Sequence, residues 1–222
     1  ALARETAERT WAAVERARAE AALRERDERN AFLVRFSDAV RELVDPQAVA
    51  QAACRLLAEK LGVERAYWAE VDEGTREYVI GASVYVPGVP VIEGRFPVDA
   101  WEPLSSLHRA GLPVVVSDTQ ADPRLPPEVK EGYVQLAVGA DLAVPVLLGG
   151  QLRCTLAVNQ RSPRHWTPED VALAQGIAER CWSEVERARA EAALRESEER
   201  LRSFGEASSD VLWIRDAGTL EW

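Results

Sequence analysis

The chain has 222 residues, 47% of them hydrophobic, enough to bury one core of roughly 100 to 170 residues and leave helical material over. Its 27 Lys+Arg against 37 Asp+Glu give a net charge of -10, the wrong sign for a protein that grips a phosphate backbone, so nucleic acid is not an expected partner. No apolar run approaches the roughly 18 residues of a membrane-spanning helix and no signal-peptide pattern opens the chain, so a cytoplasmic protein without membrane insertion is expected.

Residues 1–45 contain neither Gly nor Pro and are rich in Ala, Glu, Arg and Leu, which predicts a long helix. Part of it recurs. Residues 7–29 and 178–200 match at 18 of 23 positions with an offset of 171, the signature of a repeated unit. The second copy follows a whole domain, so the first, within a signalling helix over 1–30, reads as the exit helix of a preceding one.

Phe32, Phe36, Ala39, Val40 and Leu43 then form a helical face, and Asp45-Pro46 opens a second helix whose apolar face runs Val49, Ala52, Ala53, Leu56, Leu57 and stops at Gly62. Strands are predicted over 63–71 and 76–85, joined by a hairpin at 72–75, with a weaker third over 89–96. A short helix over 100–109, a strand over 112–117, a Pro- and Asp-rich loop over 118–127 and a helix over 128–136 follow. Strands 141–148 and 151–160 pair across Gly149-Gly150. Thr167 as N-cap, Pro168 at the first position and Glu169 and Asp170 behind them begin a helix over 168–204, roughly 55 Å long at 1.5 Å per residue. Helices before and after a meander of about six strands make an α+β fold with an antiparallel sheet.

Along the last helix Val171, Ala174, Ala178, Cys181, Val185, Ala188 and Ala192 recur at steps of three and four, the spacing of a coiled-coil seam. The expected partner is a second copy in a parallel homodimer. After Ala192 the stripe changes phase and resumes at Leu194, Leu201 and Phe204.

The segments GLPVVVSD (111–118), ADPR (121–124), ADLAVPV (140–146), Gly150, LAVNQ (156–160) and PRHWTPED (163–170) together resemble a GAF domain over residues 31–185. A signalling helix over 186–203 continues from it. ALRESEERL (193–201) and FGEASSDVLWIRD (204–216) resemble the join to a PAS domain in alphaproteobacterial-type sensor histidine kinases, so 204–222 reads as a truncated PAS start. The resemblance implies a pocket between the sheet and a cover running from Trp101 to Leu136. Its candidate ligand-binding residues are Tyr67, Tyr85, Trp101, His108, Arg124, Tyr133 and Asn159. The implied role is sensory or regulatory: binding an unidentified small molecule and relaying its state through the exit helix to downstream PAS and kinase domains.

Three alternatives stand beside this one. A structural dimerisation spacer would need no ligand. A bilin photosensor would need a cysteine before the domain or in the cover, whereas Cys54 is on an early helix, Cys154 on a strand and Cys181 in the exit helix, and Asn159 stands where such sensors commonly have His. A GAF-fold thiol reductase would need a reacting cysteine pair at the pocket. No phosphate loop, metal-ligand cluster or phosphodiesterase signature is read, so the sequence points to no cofactor, catalytic residue or enzyme activity of its own.

Overall fold

A computed structural model describes residues 2–207 of the chain. Helices α1 (Leu2–Val40) and α2 (Pro46–Leu61) precede strands β1 (Arg65–Asp72), β2 (Glu77–Tyr85) and β3 (Gly94–Pro97). A 3₁₀ turn (Val98–Trp101), α3 (Leu104–Arg109), β4 (Val114–Val116) and α4 (Pro127–Gln135) cross to β5 (Ala140–Leu148) and β6 (Gln151–Gln160), and α5 (Pro168–Ala207) ends the described chain. The strands form one antiparallel sheet in the order β3-β2-β1-β6-β5-β4. The predicted α+β class is the one found.

Local chemistry sets most boundaries. Asp45 caps α2 by accepting from the Gln47 backbone N–H at 3.1 Å, and Gly62 closes that helix in the left-handed region at φ 62°. Thr167 and Asp170 form a reciprocal capping box on α5, each side chain accepting the other's backbone N–H at 3.1 Å. The helix expected over 100–109 is divided at Pro103, whose ring nitrogen cannot donate, into the 3₁₀ turn and α3. The third strand shrinks from 89–96 to Gly94–Pro97, after Gly88 and Pro90. At the far end α5 runs on through Ala207, so residues 204–207 of the expected PAS start are helix; the rest of that segment lies outside the described residues.

The sheet has two different faces. On one, α2, α5 and the C-terminal part of α1 cover an apolar core in which Phe36, Leu57 and Ile177 meet Leu142, Leu156 and Val158. At roughly 25 cal/mol per Å² of apolar surface, this layer is the main source of stability. Five residues of the expected coiled-coil seam belong to it: Ala174, Ala178, Cys181, Val185 and Ala188 are at most 1% exposed within the single chain. That corrects the seam. The three-four spacing marks a helix stripe that buries, and here the small side chains let α5 settle onto its own domain. Val171 is half-buried against the same core, and only Ala192 is free.

On the other face Tyr78, Ile80, Ala143 and Ala157 lie under the 3₁₀ turn, α3 and α4. Two bulges adjust the faces. Gly81 has no partner on β1, where Ile80 pairs with Ala69 and Ala82 with Trp68. It puts Tyr78 and Ile80 on the cover side while Ala82 and Val84 join the helical core. Arg153 is skipped in the same way between β5 and β6.

A polar pocket under the cover segment

The cover and sheet enclose a cavity of about 60 Å³ between Tyr67, Trp101, His108, Tyr133, Asp141 and Asn159. One water needs about 10–15 Å³ on this scale, so the space suits a few waters or a molecule of a few heavy atoms; sites for drug-sized ligands run to about 300–1,000 Å³.

The floor is a hydrogen-bonded chain. Asp141 on β5 sits directly opposite Asn159 on β6, and the Asn159 amide donates to Asp141 Oδ1 at 2.6 Å. Tyr133 on α4 donates its hydroxyl to Asp141 Oδ2 at 2.7 Å. Behind them Arg65, only 1% exposed, donates to Asn159 Oδ1 at 3.4 Å and to the Leu136 carbonyl at 2.9 Å. Burial pushes the Asp141 carboxyl up to about 6, against the downward pull of Tyr133, Asn159 and the Arg65 charge. Burial also raises the hydroxyls of Tyr67 and Tyr133, keeping both neutral donors.

The roof is His108 on α3. Its Nδ1 is 3.3 Å from the Tyr78 hydroxyl; with that hydroxyl donating, Nε2 carries the proton, and Nε2 is buried without a hydrogen-bond partner. Burial lowers the ring to about 4, more than the Ala143 backbone, which favours the charged form, offsets. At neutral pH the cavity therefore has a carboxylate below and a neutral imidazole above, with apolar walls such as Ile92 and Leu104.

These two groups pull stability in opposite directions with pH. The folded pKa of Asp141 lies above its ordinary 3.8, so its contribution is complete below that value and is lost as pH rises through about 6. The folded pKa of His108 lies below its ordinary 6.5, so its contribution is complete above 6.5 and is lost as pH falls toward 4. On going from pH 7 to pH 4.5, wild type should lose about 2 kcal/mol relative to His108→Phe, read from urea unfolding at both pH values. Parallel pH dependences would show that His108 is not held neutral.

A six-stranded antiparallel sheet with helices on one face and a covered pocket on the other is an arrangement that the family comparison identifies: the GAF domain model matches residues 45–185. The chain belongs to the GAF domain family. Solved structures agree at the level of fold. The free methionine-R-sulfoxide reductase of Neisseria meningitidis in complex with its substrate is 18% identical, with TM-score 0.61 over 73% of this chain and 90% of that one. The GAF domain of a phosphoenolpyruvate-protein phosphotransferase from Coxiella burnetii is 19% identical, with TM-score 0.61 over 74% and 96%. A phycoerythrobilin-bound GAF domain from a cyanobacterial phytochrome is 14% identical, with TM-score 0.65 over 74% and 97%. A search of curated proteins found no match.

Of the seven candidate residues, the GAF fold brings Tyr67, Trp101, His108, Tyr133 and Asn159 to the pocket. The other two are corrections. Tyr85 ends β2 and is 42% exposed, outside the cavity. Arg124 braces its own loop, donating to the Asp122 carboxylate and to the Val115 carbonyl. Asp141, Tyr78 and Arg65 had no expected role. The three thiols are buried together in the helical core, on the opposite sheet face from the cavity, and burial raises all three pKa values. Among the described residues no cluster suited to a metal ion occurs and no helix is long and apolar enough to cross a membrane.

Proposed function

We propose that this GAF domain is a sensory or regulatory module of a two-component histidine kinase. Its pocket takes a compact small molecule, and α5 relays the pocket's state toward downstream PAS and kinase domains. One observation carries the reading: pocket and exit helix share the same two strands from opposite sides. Asp141, Ala143 and Asn159 face the cavity, while their neighbours Leu142, Val144 and Val158 face the core that α5 completes. Cores are close-packed, so a ligand that displaces β5 or β6 displaces the residues under α5 as well. The Asp141 carboxylate favours a neutral or cationic ligand that donates hydrogen bonds, and the His108 N–H suits an acceptor at its other end.

In this proposal the partner of α5 is a second copy, and pairing uses the helix beyond Ala188, where Leu194, Leu201 and Phe204 are 60%, 70% and 68% exposed. A bilin reading has less support, because the cavity is small and no thiol faces it. The same placement of the cysteines weighs against a thiol reductase.

Ala143→Leu adds side-chain volume to the cavity floor. In native mass spectrometry of freshly purified protein, wild type should carry a small non-covalent adduct that Ala143→Leu, still folded by circular dichroism, lacks. Bare, equal spectra from both proteins would favour the spacer.

A further inference from the structure

Two groups on opposite walls of the pocket lack a full set of partners. Asp141 is 4% exposed, and both atoms that touch its carboxylate are neutral, the Asn159 amide at 2.6 Å and the Tyr133 hydroxyl at 2.7 Å. Arg65 balances that charge only from behind, with hydrogen bonds to Asn159 Oδ1 and the Leu136 carbonyl. A buried carboxylate is best held by a cation in direct contact, and each Asp141 oxygen, accepting one hydrogen bond, has a second lone pair to offer the cavity it lines.

The other group is His108, 7% exposed, whose Nε2 is buried without a partner while Nδ1 meets Tyr78. His108 lies beside the Ala143 backbone, two residues from Asp141 on the same face of β5, so the two groups stand about 7 Å apart along the strand. A hydroxyl both donates and accepts, so it meets Nε2 in either tautomer.

Between these groups the walls are aromatic. Tyr67, Trp101 and Tyr133 line the cavity, the last two with ring centroids 5.4 Å apart and planes at 63°. Aromatic rings around a carboxylate suit an ammonium, because ring faces attract the charge while the carboxylate takes its N–H groups. A cavity of about 60 Å³, at 10–15 Å³ per water, admits roughly four to six heavy atoms.

Resting on the pocket's proposed role as a ligand site, we infer that its ligand is a short primary amino alcohol, with ethanolamine the smallest of the class. The ammonium donates to Asp141, the hydroxyl bonds His108 Nε2, and the carbon chain lies against Tyr67, Trp101 and Tyr133.

Backbone-amide NMR titrations at neutral pH with ethanolamine, ethylene glycol, glycolate and choline test this. The last three keep the hydroxyl while removing the ammonium, replacing it with a carboxylate, or stripping its N–H groups and adding bulk. Ethanolamine should bind wild type with a Kd of about 0.05–5 mM, the range open to so few atoms, and shift amides of β5, β6 and α3. The other three should bind at least tenfold more weakly, as should ethanolamine to Asp141→Asn. The inference is overturned by any of the three binding as tightly as ethanolamine, by shifts confined to residues outside the pocket, or by a folded Asp141→Asn that binds ethanolamine unchanged. The comparison of probes on wild type decides even where Asp141→Asn does not fold. If no probe binds and wild type still carries an adduct that Ala143→Leu lacks in native mass spectrometry, the amino alcohol falls and the ligand site stands. No binding together with bare, equal spectra removes both.

Discussion

Val185→Glu is expected to unfold the domain, not to separate two copies of it. Val185 is 0% exposed within one chain and belongs to the apolar cluster that joins α2, α5 and the sheet. A carboxylate there loses its hydration with no cation to replace it, a cost of several kcal/mol before the lost packing of valine is counted. Domains of this size are stable by about 5–15 kcal/mol, so the variant should melt at least 10 °C lower or be unfolded at 25 °C. Val134→Glu is the control: its site on α4 is 60% exposed and lies off the pairing helix, so the melting temperature should stay within about 2 °C. Sedimentation of a Val185→Glu protein with native circular dichroism and half the wild-type mass would restore the coiled-coil seam and contradict the packing of α5.

The second large effect belongs to Arg65. Its buried guanidinium holds the Leu136 carbonyl and the Asn159 amide oxygen and supplies the positive charge behind Asp141. Arg65→Met leaves a buried carboxylate without that charge and should cost about 3–5 kcal/mol at pH 8. The loss should be smaller at pH 5, where Asp141, already raised to about 6 and raised further in the variant, is protonated. Adding Asp141→Asn should recover part of the loss at pH 8 and little at pH 5, a coupling that urea unfolding of the four proteins measures. A loss equal at both pH values would mean that Arg65 serves only as a packing and carbonyl-binding side chain.

The fold was legible because its boundaries are local. Asp45-Pro46, Gly62, Gly149-Gly150 and the Thr167 to Asp170 box each fix a turn or cap through their own backbone chemistry. The pocket was legible in part, through Trp101, His108 and Tyr133 of the cover and Tyr67 and Asn159 of the sheet. What sequence reasoning missed depends on register. Counting back from the Gly149-Gly150 turn pairs Asp141 with Val158; the bulge at Arg153 shifts the partner to Asn159 and so creates the floor of the site. The bulge at Gly81 likewise sets Tyr78 toward His108, and a period-two pattern gives no sign of it. The stripe on α5 was seen correctly as apolar and assigned to the wrong neighbour, since spacing says that a face is buried and not against what.

Hydrogen exchange tests the relay most directly. Ala143→Leu fills the cavity permanently, and its effect can be followed peptide by peptide in wild type and variant. If the pocket acts through the sheet, exchange should change in α5 between residues 174 and 192 as well as in the cover, because Leu142, Val144, Leu156 and Val158 connect the two. A change confined to the cover, with α5 exchanging as in wild type, would contradict the relay and leave the domain a spacer with a cavity.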